Sequence, residues 1–299
     1  MRHLLFCLLF AVLLTACQQS GPIDLKTLAG KARAGDAVAC RELVNLLAME
    51  KNSVSEKVYP LVIEIGQPMV APLLAQVHTE NREQRERVIA ALGTLQVKAA
   101  VQPITEVLNN KLLKRRYIAA WSLGEIGETS AIQSLLKALG DPEELVRQYA
   151  TRSLIKFNKS ALEPLLELLP QADTQTAAGI IRALGDIGDK RSIDALLLQV
   201  EGDNRPDVFL ALGKLRDPRA ESALILGLID TDWQVRMNAS MALGAIGSNK
   251  SIPALQATLD DEVMVVREWS ARSLSVITGA KVKYRDAAGE LVAPYSVYH

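Results

Sequence analysis

The residues whose types and spacing could support chemistry are five arginines at equivalent positions of a repeated pattern. Each lies seven residues before a recurring leucine: Arg85, Arg116, Arg147, Arg236 and Arg267. Aspartates stand six residues before three of them, at Asp141, Asp230 and Asp261. A guanidinium group presents its N–H donors in a planar fork that fits a carboxylate or a phosphate. The spacing is compatible with a row of anion-binding sites or with a structural row of arginine–aspartate contacts.

Few side chains outside this row offer a route to catalysis. The three histidines, His3, His78 and His299, are far apart in the sequence, and no Ser/His/Asp set can be assembled from them. No cysteine or histidine cluster has the spacing of metal ligands, and no GxxxxGK[ST] phosphate loop occurs. The sequence therefore predicts no catalytic residue, no metal and no cofactor.

The leucines that follow the arginines mark a repeat that must position them. The equivalent positions are Val62, Leu92, Leu123, Leu154, Leu184, Leu212, Leu243 and Leu274, at intervals of 30, 31, 31, 30, 28, 31 and 31 residues. Such a steady period is typical of stacked supersecondary units rather than of one globular core. The predicted fold is all-α, a solenoid of about seven to eight two-helix repeats.

Each repeat carries the signals of two helices. In the clearest first helix, Asp141 is predicted as the N-cap, Pro142 as the first helical residue and Glu144 as N3. The first helices are predicted to end at residues that tolerate a positive φ: Gly127, Asn158, Gly188 and Gly247. An inner glycine costs about 1 kcal/mol relative to alanine, so its recurrence predicts close helix packing. These inner glycines are Gly93, Gly124, Gly185, Gly213 and Gly244.

The chain begins with the features of an export signal. Arg2 supplies a positive n-region, and residues 4–14 form an apolar run of 11 residues. A run of this length is too short for a spanning helix, which needs about 20 residues. Leu14-Thr15-Ala16-Cys17 resembles the lipobox of bacterial lipoproteins, whose signal is cut before a cysteine that becomes acylated. The alternative is an ordinary signal peptide that ends near a cysteine.

On the lipobox resemblance, residues 1–16 are the signal and residues 17–22 are a lipidated tether. The protein is then expected in the bacterial cell envelope, bound to the membrane through lipid on Cys17, at the outer membrane and facing the periplasm. Cys40 would be the one unmodified cysteine, and its apolar helical setting predicts a buried small hydrophobe. Lys+Arg and Asp+Glu both total 34, so no net field favours nucleic acid as a partner.

Asp-x(5)-Arg-x(6)-Leu-Gly-x-Ile-Gly, complete from Asp230 to Gly247, resembles the HEAT-repeat superfamily in its short bacterial form, often called the phycobilisome-lyase type. The resemblance covers about residues 60 to 280 and implies an α-α superhelix. It also favours the structural role of the arginine row, because such arginines contact an aspartate or a carbonyl at the turn in HEAT families. Two enzyme-linked HEAT families fit less well. Deoxyhypusine hydroxylase needs His-Glu pairs that this sequence lacks, and bilin lyase subunits act on cytosolic phycobiliproteins.

Three irregular segments accompany the repeats of residues 61–279. Residues 23–60 are predicted to form an N-terminal helical cap, and residues 280–299 a C-terminal cap or tail with a possible hairpin. The 28-residue interval contains Pro206, which should shorten its first helix by about one turn. This irregularity could open a notch near residues 202–206, although harmless drift within a tolerant repeat is the simpler explanation.

The sequence alone thus favours a non-catalytic, membrane-anchored scaffold that binds a protein partner through its extended surface. Trp233 is the candidate partner contact, because it lies near the start of a first helix; burial against the neighbouring repeat is the alternative. The second functional hypothesis is an envelope enzyme or enzyme subunit, lyase-like or a hydrolase accessory, that uses the notch near residues 202–206.

Overall fold

The computed structural model describes residues 23–48 and 55–294. They form an all-α solenoid of two-helix repeats closed by a short hairpin, which confirms the predicted fold class. The signal, Cys17 and the tether lie outside the described residues. Within the described ranges, no helix has both the length and the apolar character needed to cross a membrane.

The first helices of the repeats are the longer members of most pairs. They are α1 (Leu25–Arg33), α3 (Ser55–Ile65), α5 (Arg82–Thr94), α7 (Tyr117–Ile126), α9 (Glu144–Phe157), α11 (Thr174–Ile187), α13 (Arg205–Leu215), α15 (Trp233–Ile246) and α17 (Met264–Thr278). Each of the eight recurring Val or Leu positions lies in one of these helices and is at most 2% exposed. The 31-residue pattern therefore marks the continuous core of the stack.

The second helices alternate with the first and are often preceded by a short 3-10 turn. They are α2 (Ala37–Leu46), α4 (Val70–Leu74), α6 (Val101–Asn109), α8 (Ile132–Ala138), α10 (Lys159–Leu168), α12 (Ile193–Leu197), α14 (Glu221–Gly227) and α16 (Ile252–Ala257). Strands β1 (Tyr284–Arg285) and β2 (Leu291–Val292) pair antiparallel after α17. This hairpin is the one anticipated in the C-terminal tail.

The inner glycines allow successive first helices to approach closely, as predicted. A Cβ added at Gly185 would lie 2.8 Å from the Cβ of Ala211 and 2.9 Å from its Cα. At Gly93 the corresponding neighbour is Ser122, whose Oγ also donates a 2.9 Å hydrogen bond to the carbonyl of Ile89. Real Cβ contacts are longer than these distances, so the close packing excludes a side chain at these glycines.

The helix ends agree with the prediction, and the helix starts do not. Gly127, Gly188 and Gly247 end their helices with φ near 75° (73°, 74° and 76°), and Asn158 has φ 51°. However, α9 begins at Glu144 after Glu143, so Asp141 is not its N-cap. Asp141 accepts a hydrogen bond from the Glu143 amide and turns its carboxylate toward the preceding repeat. The cap prediction was wrong because the same side chain serves an interaction between repeats.

The irregular segments have physical explanations. Helix α13 contains 11 residues, against 14 in α11 and in α15, which confirms the shortening at Pro206. The hairpin is held by α17, because Arg267 Nε donates to the carbonyl of Arg285 at 2.8 Å and Tyr284 is buried. Three helices, α1 to α3, lie in or extend from residues 23–60, whose role as a cap remains a prediction.

Candidate functional site

The arginine row contains a buried ion pair that joins two repeats. Arg116 donates from Nη1 and Nη2 to Asp141 Oδ2 and Oδ1 at 2.6 and 2.8 Å. Hydrogen bonding to Asp141 raises the pKa of Arg116 against the effect of burial. Burial opposes ionisation of Asp141, but the hydrogen bonds from Arg116 and the Glu143 amide outweigh it and lower the pKa of Asp141. Both groups are therefore charged and mutually satisfied.

Arg236 makes the same contact and shows how the row continues along the stack. It donates from Nε to Asp261 Oδ2 at 2.7 Å and from Nη1 to the carbonyl of Asp230 at 2.9 Å. Arg267 in turn donates to the carbonyl of Asp261 at 2.6 Å. In place of an aspartate side chain, Arg267 also donates to the carbonyls of Arg285 and Asp286 in the hairpin.

Among the described residues, two arginines of the row donate to main-chain oxygens of their own turn. Arg147 Nη1 donates to the carbonyl of Asp141 at 2.8 Å, and Arg85 Nη1 donates to that of Thr79 at 2.8 Å. The guanidinium groups of the row therefore face protein oxygens. Their structural role remains our proposal, and double-variant stability measurements test it.

Arg205, where the sequence pattern leaves the row uncertain, is a further member of it. Arg205 Nε lies 3.1 Å from Asp230 Oδ2. This pair has the 25-residue separation of Arg116–Asp141 and Arg236–Asp261. Arg205 lies seven residues before Leu212, as the other five arginines lie before their leucines, but no aspartate stands six residues before it, where the sequence has Gln199.

A groove of about 450 Å³ runs between the second helices α8 and α10 and reaches the start of α11. Its apolar lining is Leu136, Pro164 and Leu168, and its polar lining is Gln133, Lys137, Glu167, Gln171 and Thr176. Volumes of about 300–1,000 Å³ are typical of small-molecule sites, and in this groove polar side chains outnumber the apolar ones. The spacing of charged motifs gave no signal for it, because its lining comes from three consecutive repeats.

A second groove of the same kind, about 410 Å³, lies between α2 and α4. It is lined by Arg41, Asn45 and Gln76 among smaller side chains. Two pairs of consecutive second helices thus form such grooves. Each offers a cation and amides beside apolar surface.

The segment near residues 202–206 is tied to the preceding repeat. Asn204 Nδ2 donates to the carbonyl of Thr174 at 2.9 Å, and Thr174 Oγ1 donates to Asp203 Oδ2 at 3.3 Å. Two turns close it further, with Gly202 N bonded to the Gln199 carbonyl and Arg205 N to the Gly202 carbonyl. The groove between α8 and α10 does not include this segment.

Trp233 is the first residue of α15 and is 42% exposed, so it is not buried against the neighbouring repeat. Large apolar side chains near the ends of the two preceding second helices are also exposed: Leu198 by 83%, Leu226 by 68% and Ile229 by 81%. Four exposed apolar side chains on three consecutive repeats are a candidate protein-contact surface.

Metal chemistry has no support in the described ranges. No three His, Cys, Asp or Glu side chains come together there in a group that could hold a metal ion. Cys40 is a buried free thiol, and burial raises its pKa. The residues present do not fit the paired iron ions of a deoxyhypusine hydroxylase, so no step through a metal is derived.

Comparison with curated proteins corrects the functional expectation. The chain is 28% identical to the alpha subunit of phycocyanobilin lyase from Picosynechococcus sp., over 55% of this chain and 59% of that protein. It is 29% identical to deoxyhypusine hydroxylase-B from rice, Oryza sativa subsp. japonica, over 45% of this chain and 48% of that protein. The chain thus spans about half to three fifths of the length of these relatives.

The expectation of a non-catalytic scaffold, and of a protein that is not an enzyme, was wrong on these findings. The relatives are named as enzymes or enzyme subunits, which favours the alternative hypothesis. The error had two sources. The lack of a catalytic cluster in one chain does not exclude an enzyme subunit, because a partner subunit can supply the reacting groups. A predicted export signal concerns the compartment of a protein and not the reaction in which it takes part.

Among solved structures, yeast importin-β (Kap95p) superposes with a TM-score of 0.54 at 14% identity, over 90% of this chain and 43% of that one. This likeness concerns the fold alone. The profile described as HEAT repeats matches residues 70–155, 132–211 and 205–275, which together span most of the described stack. With its recurring buried leucines, its glycine contacts and its arginine row, this chain belongs to the HEAT-repeat family.

Proposed function

We propose that this protein is a subunit of a lyase-type enzyme, and that it binds the organic ligand while a protein partner completes the reactive site. The observation that carries the proposal is the similarity to phycocyanobilin lyase subunits over 55% and 57% of the chain. The repeat surface supports it by offering grooves of small-molecule size. Binding and orientation can supply a large part of catalysis without a titratable cluster in the same chain.

The groove between α8 and α10 is the proposed ligand site. Phycocyanobilin is a conjugated linear tetrapyrrole with two carboxylates. Leu136, Pro164 and Leu168 offer apolar contact to such rings, and Lys137 offers a cation to a carboxylate. Gln133 and Gln171 add amide donors at the rim.

Titration of the purified chain with phycocyanobilin tests this proposal. Binding in the groove restricts the tetrapyrrole, so we expect a saturable change in its visible absorption and circular dichroism. Lys137→Glu should weaken binding by about ten- to a hundredfold, as expected for the loss of one charge-assisted hydrogen bond and a new repulsion. Arg41→Glu, in the matched groove between α2 and α4, is the control and should bind as the unchanged chain does.

The possible results test the location of the ligand site and the proposed function separately. No weakening by Lys137→Glu, or equal weakening by both substitutions, would argue against the groove between α8 and α10 and leave the lyase proposal standing. No spectral change with phycocyanobilin would contradict the bilin class of ligand.

The exposed surface formed by Leu198, Leu226, Ile229 and Trp233 is the proposed contact for the partner subunit. Aromatic side chains in partly covered positions often dominate the binding energy of interfaces. A photo-crosslinking residue at position 233 should capture a specific partner from the native envelope, and the same residue at Val276, 67% exposed on α17, should not. Capture of lipid alone at position 233 would remove Trp233 from the interface.

Attachment to the envelope membrane through Cys17 is part of the proposal. The lipobox resemblance supports it, and the residues concerned lie outside the described ranges.

A further inference from the structure

The turn before α7 differs from those before α9, α15 and α17. In α9, α15 and α17 the row arginine is the fourth helical residue, as Arg147, Arg236 and Arg267. In this repeat Arg116 precedes the helix, which begins at Tyr117. The first turn of the helix is therefore replaced by a loop, residues 110–116, which we call the basic loop.

Local hydrogen bonds hold the basic loop in one shape. Leu112 N donates to Asn110 Oδ1 at 3.1 Å, and Leu113 N donates to the carbonyl of Asn110 at 3.0 Å. At its other end Arg115 has φ 58° and its side chain bonds Glu86 at 3.0 Å. Arg116, fixed by Asp141, donates to the carbonyl of Leu113 at 3.3 Å. Hydrogen-bonded residues on both sides thus hold the tip of the loop in place.

The tip presents an apolar side chain between two cations. Leu112 is 90% exposed, and Lys111 and Lys114 are exposed beside it. No ion pair of either lysine is found among the described residues, whereas Arg115 is paired with Glu86. The corresponding turns before α9 and α15 are acidic, with Asp141 and Glu143 in one and Asp230 and Asp232 in the other. The cationic tip is a local property of this one turn.

We propose that the basic loop docks on an anionic lipid surface, with Leu112 entering the headgroup region and Lys111 and Lys114 contacting lipid phosphates. A single projecting leucine flanked by cations fits a fluid anionic surface, because lipid chains close around it and each nearby lysine gains electrostatic attraction. A protein partner would instead require a complementary pocket and a broader apolar contact. The proposal rests on neither the groove nor the lyase function, and it holds whether or not Cys17 carries lipid.

Fluorescence from position 112 in the full chain tests the proposal. Leu112→Cys, labelled with nitrobenzoxadiazole, is mixed with phosphatidylcholine vesicles that contain or lack phosphatidylglycerol. Signal from the equally labelled unsubstituted chain is subtracted. We expect a blue shift and a rise in emission on the anionic vesicles only. The shift should be lost in about 1 M salt, where the screening length is about 3 Å.

Two matched variants make the outcome decisive. Lys111→Glu with Lys114→Glu should abolish the shift at position 112. The same label at Leu198→Cys, 83% exposed and close to Glu201 and Asp203, should show none. Equal shifts at positions 112 and 198, equal shifts on both vesicle types, or no shift on anionic vesicles would each overturn the proposal. Slower amide hydrogen exchange at residues 110–116 of the unlabelled chain on anionic vesicles would support the proposal without a label.

Discussion

The ion pair between Arg116 and Asp141 is nearly sealed from water, with 1% and 5% of the two side chains exposed. Moving two charges out of water is costly, and the low dielectric that makes it costly also strengthens their attraction. The carbonyl of Leu108 and the carboxylate of Glu143 accept further guanidinium hydrogen bonds. Removal of either charged partner would leave the other buried and unpaired, so the ion pair links the stability of two neighbouring repeats.

We expect Arg116→Ala and Asp141→Ala each to lower the free energy of unfolding by about 3–5 kcal/mol, because each leaves a buried charge without its partner. The double variant should cost less than the sum. Urea denaturation followed by circular dichroism measures the three values. The exposed pair Arg33–Glu64, at 45% and 64% exposure, is the matched control and should show a coupling of about 0.2–1 kcal/mol. Small, additive effects at Arg116 and Asp141 would argue against the structural role.

The lowered pKa of Asp141 also predicts a pH dependence. The folded pKa lies below the unfolded value of about 3.9, so this group contributes its stability above that value and loses it as the pH falls through the folded pKa. The free energy of unfolding should therefore decline as the pH drops below about 4. Asp141→Asn, although less stable at neutral pH, should show a shallower decline. An identical slope in both proteins would assign the acid sensitivity to other carboxylates.

At the scale of the helix, packing between repeats overrides local propensity. Alanine is favoured over glycine in a helix interior by about 1 kcal/mol, yet Gly93, Gly124, Gly185, Gly213 and Gly244 all lie in first helices. Each is backed by a Ser or Ala of the next first helix. The lost propensity is compensated by the closeness of two helix backbones.

Gly185→Ala should destabilise the protein by on the order of 1–3 kcal/mol, because the new Cβ would overlap Ala211, whose short side chain cannot move aside. Gly30→Ala in α1 is the control, since no atom lies within 4 Å of the added Cβ. It should raise stability by up to about 1 kcal/mol. Thermal unfolding of the two variants beside the unchanged chain measures both, and a stabilising Gly185→Ala would refute the packing argument.

For the molecule as a whole, stability is expected to accumulate from neighbouring repeats rather than from one core. Among the described residues, helices α1 to α3 come first, and the hairpin after α17 accepts hydrogen bonds of Arg267. An extended body of this kind can present a ligand groove, a partner surface and a membrane-facing loop on different repeats.

Anchoring at Cys17 makes a prediction for the whole molecule in the cell. Acyl-chain labelling should mark the protein, and Cys17→Ala should leave unlabelled precursor, because the cysteine is both the processing site and the acceptor. Cys40→Ala is the matched control and should be processed and labelled normally. A Cys17→Ala variant that is still labelled would show that the lipobox resemblance is misleading.

The sequence determined the architecture because the determinants are local and recur. A buried leucine or valine about every 31 residues, a positive-φ residue after the first helices and an inner glycine in five of them can all be read from the sequence. The 28-residue interval likewise predicted the short α13 from Pro206 alone.

Only the tertiary structure decided which residues meet between repeats. Asp141 looked like the cap of its own helix, yet its carboxylate binds Arg116 of the preceding repeat. The groove at Lys137 and the loop at Leu112 depend on how adjacent helices stack and where α7 begins. In a stack of repeats, residues that contact each other lie about one period apart in the sequence. The ion-pair partner of a charged group therefore lies in the neighbouring repeat, where the pattern within one turn does not show it.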